Sequence, residues 1–379
     1  YIDRYPDDPD GWFLLGEAGL HAWSATGVTD EELEEALYRT VELDPTFGPY
    51  YEHALHWATA KGHEAMYDSL VVAAEQVGDA EDRQERMRLR WALFQGDEEE
   101  QAAAEARLAA LEPIDVQRVD QSAIGLLDEE LERLEPLWSQ RDDGPRLRAR
   151  LYGQQGRLAD MVQLAEAAGG DALAMAVFET VNWMGAGAVP QEIPGRLDRL
   201  IGSPSPDDEG YELRVALDLA ERRSTDVEAF RRWLDREMNE WLPRVAQMDD
   251  TVGIRRGMMA AFDADVLLAE GRPEEAYQIV MSLQDLTALE PPPDLVVRFG
   301  VIALEAGEYD HAIRALEGVS RGLERTLVKF HLGRAYEATG DTARAIDAYR
   351  TFLSRTAPAD EQLGAVIQAR EAVRRLGGG

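Results

Sequence analysis

The chain has 379 residues, of which 45% are hydrophobic, and this is enough apolar material for a substantial buried core. It carries 73 acidic against 39 basic residues, a formal net charge of -34, which disfavours binding to nucleic acid phosphates and to anionic lipid. It contains no cysteine, which excludes disulfides, thiolate nucleophiles and cysteine metal sites together. A protein or peptide partner of basic or amphipathic character suits this charge best.

The first helical hairpin is predicted to begin at Asp10, with Gly16 in its first helix. Its second helix is predicted over residues 31–43, and Thr29 or Asp30 is suited to be the N-cap of that helix. Two further hairpins follow, so the first 112 residues are interpreted as a set of antiparallel helical pairs.

Five glycines recur at nearly constant intervals at positions where a helix is predicted to end. Gly62 and Gly96 are 34 residues apart, and Gly271, Gly307 and Gly340 follow one another at intervals of 36 and 33. Such a period is typical of repeated helix-turn-helix units.

The middle of the chain keeps this spacing less well, although its pattern is still helical. Its most apolar stretch, residues 172–189, contains Glu179 and Asn182, which argues against a membrane span. The segment at residues 202–208 is the most similar to a linker. We therefore predict three segments that form one continuous array: N-terminal hairpins at 1–112, a degenerate middle at 113–206, and C-terminal hairpins with a capping helix at 207–379.

The clearest unit lies at residues 330–353. The positions that define its spacing are Leu332, Gly333, Tyr336, Ala345 and Tyr349. This spacing resembles the tetratricopeptide repeat (TPR), in which a small residue lets two helices approach and aromatic residues fill the spaces between helices. The resemblance implies an all-α fold, a right-handed α-solenoid of about nine helix-turn-helix hairpins in which each unit packs only on the next. A final helix at residues 359–376 would cap it.

The opening YPDDPDGWFLLGEA and the later VELDP resemble the C-terminal TPR arrays of bacterial signalling proteins, including Ser/Thr kinases and transcriptional regulators. The resemblance implies a noncatalytic scaffold that binds a peptide or protein in a concave groove, as the sensory or recruitment part of a larger protein. Because the sequence starts at Tyr1 without a methionine, we expect an upstream segment. The compartment would be the bacterial cytoplasm, or an extracytoplasmic one if that segment were a membrane anchor.

The resemblance also places the residues of the first helices that are not needed for packing in the groove. These residues are Phe13, Glu17, His21, Tyr50, Glu52, His56, Phe330, Arg334 and Glu337. The pairs Glu17/His21 and Glu52/His56 each share a helix face by their four-residue spacing. Two imidazoles and two carboxylates are suitable ligands for a divalent metal, but no recognised motif supports one, so we expect hydrogen bonds in an acidic groove and no metal or other cofactor.

Two other classes of protein are compatible with this pattern. A repeat array that exposes both ends can associate head to tail, so a self-assembling structural subunit is the alternative function. An all-α toroid glycosidase would need two carboxylates in a deep cleft, and the regular glycine spacing argues against it. No catalytic motif is present, so we expect no enzyme activity.

Overall fold

The computed structural model describes residues 1–21, 28–77, 81–109, 135, 138, 144–208, 210–223, 226–241, 251–282, 293–319 and 325–377. This part of the chain holds nineteen α-helices and no β-strand, which confirms the all-α prediction. The chain forms two compact units, unit 1 with residues 1–137 and unit 2 with residues 138–320 and 324–379. The division into three segments of one continuous solenoid stays a prediction.

Unit 1 contains three hairpins made of consecutive antiparallel helices. The helices are α1 (Pro9–His21), α2 (Asp30–Leu43), α3 (Pro49–Lys61), α4 (Glu64–Val77), α5 (Glu81–Phe94) and α6 (Glu98–Ala109). Helix α1 packs on α2, α3 on α4 and α5 on α6, while α3 also contacts α2 and α5. The predicted pairing of helices is therefore confirmed here.

Helix α2 begins with a capping box. The side chain of Thr29 accepts a hydrogen bond from the Glu32 amide at 3.2 Å, and the Glu32 carboxylate accepts one from the Thr29 amide at 2.8 Å. Of the two predicted N-caps, Thr29 is therefore the one that is used. The core beneath is aromatic and aliphatic, with Tyr67 stacked on Trp91 at 4.2 Å between ring centroids.

Unit 2 contains the other thirteen described helices. They are α7 (Gly144–Gln154), α8 (Leu158–Ala168), α9 (Gly170–Ala186), α10 (Glu192–Ile201), α11 (Tyr211–Ala220), α12 (Val227–Trp241), α13 (Thr251–Ala269), α14 (Pro273–Ser282), α15 (Pro293–Glu305), α16 (Tyr309–Val319), α17 (Arg325–Thr339), α18 (Thr342–Arg355) and α19 (Gly364–Gly377). None of the helices in the described ranges is both long and apolar enough to cross a membrane.

Three predicted turn glycines end helices of unit 2 in the same way. Gly271, Gly307 and Gly340 have φ angles of 75°, 81° and 81°, a region that favours glycine. In each case the amide of the next residue bonds back to a carbonyl five residues earlier, as in the hydrogen bond from Asp341 to Tyr336 at 2.9 Å. This is the Schellman arrangement, so the interval between these glycines did mark the ends of helices.

Helices α17 and α18 approach closely at Gly333. A Cβ atom placed on Gly333 would lie 2.6 Å from Cε1 of Tyr349, whose side chain is buried at 3% exposure. We expect Gly333→Ala to lower the free energy of unfolding by about 1–3 kcal/mol because the ring must move within a packed core. Urea titration measures the change.

The matched control for this substitution is Gly195 in α10, where no atom lies within 4 Å of the added Cβ. Gly195→Ala should raise stability by about 0.5–1 kcal/mol because alanine is the better helix former. Equal effects at both positions would contradict the close approach of α17 and α18.

Unit 2 departs from strict nearest-neighbour packing at one place, which we call the seam. Helix α9 contacts α17 and α19, and α7 contacts α17, although they are far apart in the sequence. Inside the seam the Trp183 and Phe352 rings lie 5.9 Å apart. Because α9, α11, α13, α15 and α17 also touch in chain order, the contacts of these five helices close on themselves. The expectation that each hairpin packs only on the next is wrong for this unit.

Candidate functional site

In unit 1 the first helices of the first two hairpins lie side by side and form a mixed polar and aromatic surface. We call this surface the α1–α3 face. It consists of Asp10, Phe13, Leu14 and Glu17 on α1, Phe47 before α3, and Tyr50 and His53 on α3.

Three aromatic side chains hold the start of this face together. The Tyr50 ring lies 5.0 Å from Phe13 and 4.7 Å from Phe47, and its hydroxyl donates to Asp10 at 2.7 Å. Burial, with the bond to Asp10, raises the pKa of Tyr50 to about 12. Tyr50 is only 5% exposed, so its predicted groove position is corrected to an anchor within the core. Leu14 and Phe47, which were not among the predicted groove residues, are 66% and 47% exposed.

Glu17 pairs with a different histidine from the one predicted. Its carboxylate oxygen lies 2.6 Å from Nε2 of His53, and the two side chains are 31% and 23% exposed. This contact joins α1 to α3. The side chain of His21, the predicted neighbour of Glu17, lies outside the described residues.

His56 is directed toward α5. Burial lowers its pKa well below 6.5, and the positive charges of Arg90, His53 and Arg86 lower it further. Glu52 on the same helix is partly exposed and already engaged in an interaction. The guanidinium groups near His56 oppose the approach of a cation. Among the described side chains no group of three or more His, Asp or Glu is placed to hold a metal ion.

The three predicted groove residues of α17 have other roles. Phe330 is fully buried, because it packs on Tyr349 at 6.1 Å and Phe352 at 5.3 Å, so its assignment to a groove is wrong. Arg334 donates to Glu305 of α15 at 2.9 Å. Glu337 accepts from the Tyr349 hydroxyl at 3.2 Å and from Arg375 of α19.

These ion pairs form a series that links successive first helices of unit 2. Asp265 of α13 lies 3.1 Å from Arg298 of α15, and the pairs of Arg334 and Glu337 continue the series to α17 and α19. Burial raises the pKa of Asp265 to about 6 although Arg298 opposes the shift. The predicted charged groove residues therefore contribute to packing between hairpins. Opposite charges roughly one repeat apart are the signal that could have revealed this.

An open groove of about 340 Å³ lies between α5 and α6. Among its charged residues, Glu85 pairs with Arg107 and Arg88 with Glu75, while Glu100 accepts a hydrogen bond from the Asp97 amide at 3.0 Å. The floor of the groove is apolar and includes Leu89 and Ala104. No part of the sequence pattern indicated this groove.

Comparison with known proteins adds little to this description. No protein-family model matches the chain, and no curated protein matches it. The chain is similar to the crystal structure of the P58(IPK) TPR domain, with 14% sequence identity over the whole of this chain and 90% of the other. The TM-score is 0.29, which is too low to carry an argument. The fold assignment therefore rests on the helices and turns described above.

Proposed function

We propose that the chain is a noncatalytic protein-interaction scaffold and that the α1–α3 face binds a peptide or protein segment with both basic and apolar side chains. The observation that carries the proposal is the exposure of two apolar side chains: Leu14, which follows Phe13 on α1, and Phe47, which packs on Tyr50. Exposed apolar side chains that form a patch rimmed by polar residues often mark a site of protein interaction.

The charge around this patch favours a basic partner. Leu14 and Glu17 are three residues apart on α1 and therefore neighbours on its surface. The Asp7 side chain, in the segment before α1, is 88% exposed although it lies 3.7 Å from Arg39, and the whole chain carries a net charge of -34. An amphipathic helix with leucines on one face and lysines or arginines beside it would bury Leu14 and meet these carboxylates.

A peptide-binding measurement tests this proposal. We expect a leucine-rich, lysine-bearing helical peptide to bind the full chain, and the Leu14→Ala/Phe47→Ala variant to bind it at least about tenfold more weakly, which is 1.4 kcal/mol. Fluorescence anisotropy at two salt concentrations reports the affinity, which should fall as salt rises because exposed charges are screened.

Val72→Ala is the matched control, because Val72 is 53% exposed but lies on α4, outside the face. This variant should bind as the unchanged chain does. Equal weakening by both variants, or equal binding of the peptide with glutamate in place of lysine, would contradict the proposal.

We also propose that the chain acts as one part of a larger protein. The likeness of the opening residues to repeat arrays of bacterial signalling proteins supports a recruitment part of a larger protein. Self-association is the competing function, and electron microscopy of the purified chain separates the two. Long filaments would favour a structural subunit, whereas separate particles that bind the peptide would support the scaffold.

A further inference from the structure

The seam of unit 2 is fastened by one short segment, residues 356–364, which we call the strap. It joins α18 to α19 and lies against the ends of α7 to α9. The amide of Asp360 donates to the Gly156 carbonyl at 3.0 Å, and the amide of Gly364 donates to the Ala188 carbonyl at 2.7 Å. These bonds connect parts of the chain about two hundred residues apart.

The carboxylate of Asp360 makes a third bond across the seam. Its Oδ2 accepts from the amide of Ala159, the second residue of α8, at 3.1 Å. The residue in the N-cap position of α8 is Arg157, whose side chain makes no capping hydrogen bond. Since the first amides of a helix need an acceptor from outside it, Asp360 fills the N-cap role from a distant segment.

Apolar side chains also pack closely beneath the strap. A Cβ placed on Gly156 would lie 2.9 Å from side-chain atoms of Ala359 and Leu363 and 3.0 Å from the Trp183 ring. The φ angle of Gly156 is 72°, so both space and backbone conformation require glycine there. Leu363 and Trp183 are at most 1% exposed. Lifting the strap would therefore expose an apolar surface.

We propose that the strap is a latch in which Asp360, by capping α8 from a distant segment, holds the helices of unit 2 in their closed arrangement. Release of this cap would separate α17 and α19 from α7 and α9. The apolar seam around Trp183 and Phe352 would then be open to solvent or to a partner.

The surroundings of Asp360 determine whether the latch becomes more or less stable as pH changes. Burial raises the pKa of this carboxyl and the nearby carboxylates of Asp160 and Glu192 raise it too, while the amides of Ala159 and Leu158 lower it. Arg157, the cation close by, is bonded to Asp160 at 2.9 Å. A carboxyl whose pKa is raised on folding contributes its full stability below its unfolded pKa and loses it as pH rises through the folded value. The carboxyl of Asp360 therefore favours the closed latch most below pH 3.8, its ordinary pKa, and favours it less as pH rises above that value.

Hydrogen exchange on the full chain, read by mass spectrometry, tests the latch. Asp360→Ala removes the acceptor, and we expect the amides at the start of α8 and of α19 to exchange at least about tenfold faster after correction for intrinsic rates. Asp360→Asn keeps an acceptor without the charge, so exchange should stay within about twofold of the unchanged chain. Asp347→Ala, an exposed position on α18, is the control and should have no effect.

Two results would overturn the proposal: Asp360→Ala with unchanged exchange, or Asp360→Asn opening the seam as much as Asp360→Ala. Should Asp360→Ala fail to fold, a distance measurement replaces it. The chain has no cysteine, so spin labels can be attached at Gln163→Cys on α8 and Arg370→Cys on α19 without background. Asp360→Glu moves the acceptor by one methylene group and should broaden the distance distribution, whereas Asp360→Asn, which keeps the acceptor in place, should leave it narrow. Distributions that are identical in these two variants would exclude the latch.

Discussion

Trp183→Ala is expected to lower the free energy of unfolding of unit 2 by about 3–5 kcal/mol, the usual cost of truncating a buried large aromatic residue. The indole is 1% exposed, its Nε1 donates to the Gly153 carbonyl at 2.7 Å, and its ring faces Phe352 across the seam. The substitution removes the contact of the indole with Phe352 of α18 and one of two hydrogen bonds to the Gly153 carbonyl, which keeps the bond from the Gly156 amide at 3.0 Å. Denaturant unfolding, with hydrogen exchange to localise the effect, measures the loss.

The position of Trp183 gives this prediction a second part. In an array in which each hairpin packs only on its neighbours, a cavity in one hairpin destabilises mainly the hairpins next to it. Because the seam joins α7 and α9 to α17 and α19, exchange should increase at both ends of unit 2. An effect confined to α7–α10 would show that the seam adds no cooperativity.

Trp12→Ala is a suitable control in unit 1. Its indole also donates to a backbone carbonyl, that of Pro6 at 2.8 Å, but the side chain is only partly buried. The expected loss is about 1 kcal/mol, in keeping with one hydrogen bond and less apolar area. A loss as large as that of Trp183→Ala would mean that burial in the seam is not the cause.

The local part of the fold could be predicted because it depends on the spacing of residues that are close together in the sequence. The turn at Gly340 and the close approach of Gly333 to Tyr349 depend on residues within one hairpin, and both are present. The N-cap at Thr29 is equally local. Such features need no knowledge of how distant hairpins meet.

The seam could not be predicted because nothing local indicates that α9 and α17 touch. Glu179, read from the sequence as a polar residue within an apolar stretch, is 2% exposed and lies 3.2 Å from the Gln154 amide. Its burial depends on two helices at once. Periodicity shows which face of a helix is apolar, but does not identify the helix that covers it.

Only part of the candidate site could be predicted, because periodicity describes one helix at a time. Periodicity placed Phe13 and Glu17 on one face of α1, and both lie on the α1–α3 face. It could not identify His53 as the partner of Glu17, because that contact depends on the register between two helices. Register also separates the exposed Phe47 from the buried Tyr50, which are only three residues apart.

Acidification is expected to destabilise unit 2 through His331, which lies on α17 and is 3% exposed. Burial, with the nearby Arg334, lowers the pKa of His331 to about 3 from 6.5. Its Nδ1 has no hydrogen-bond partner among the described atoms, so nothing there stabilises the charged ring. The unfolded chain therefore binds a proton that the folded unit does not. The stability contributed by the neutral ring is present above pH 6.5 and is lost as pH falls toward 3.

The size of this effect is on the order of a few kcal/mol, at 1.36 kcal/mol per pKa unit. Asp265 acts in the opposite direction, because its raised pKa makes stability fall as pH rises from 3.8 to about 6. The His331 shift is larger and extends over a wider pH range, so the net result should be a loss of stability on acidification. Unfolding of unit 2, followed by exchange of α17 amides between pH 7 and pH 4, measures this loss.

His331→Leu should remove most of the acid-induced loss, since a leucine of similar size takes up no proton. Phe330→Leu is the matched control on the neighbouring residue: it should lower stability by the cost of a small cavity and by the same amount at every pH. The pH dependence, and not the absolute stability, therefore distinguishes a buried titrating ring from a buried packing residue. If both variants kept the full acid-induced loss, its origin would have to be sought at carboxyl groups whose pKa is lowered on folding, such as Asp198 of α10, which accepts hydrogen bonds from Arg223.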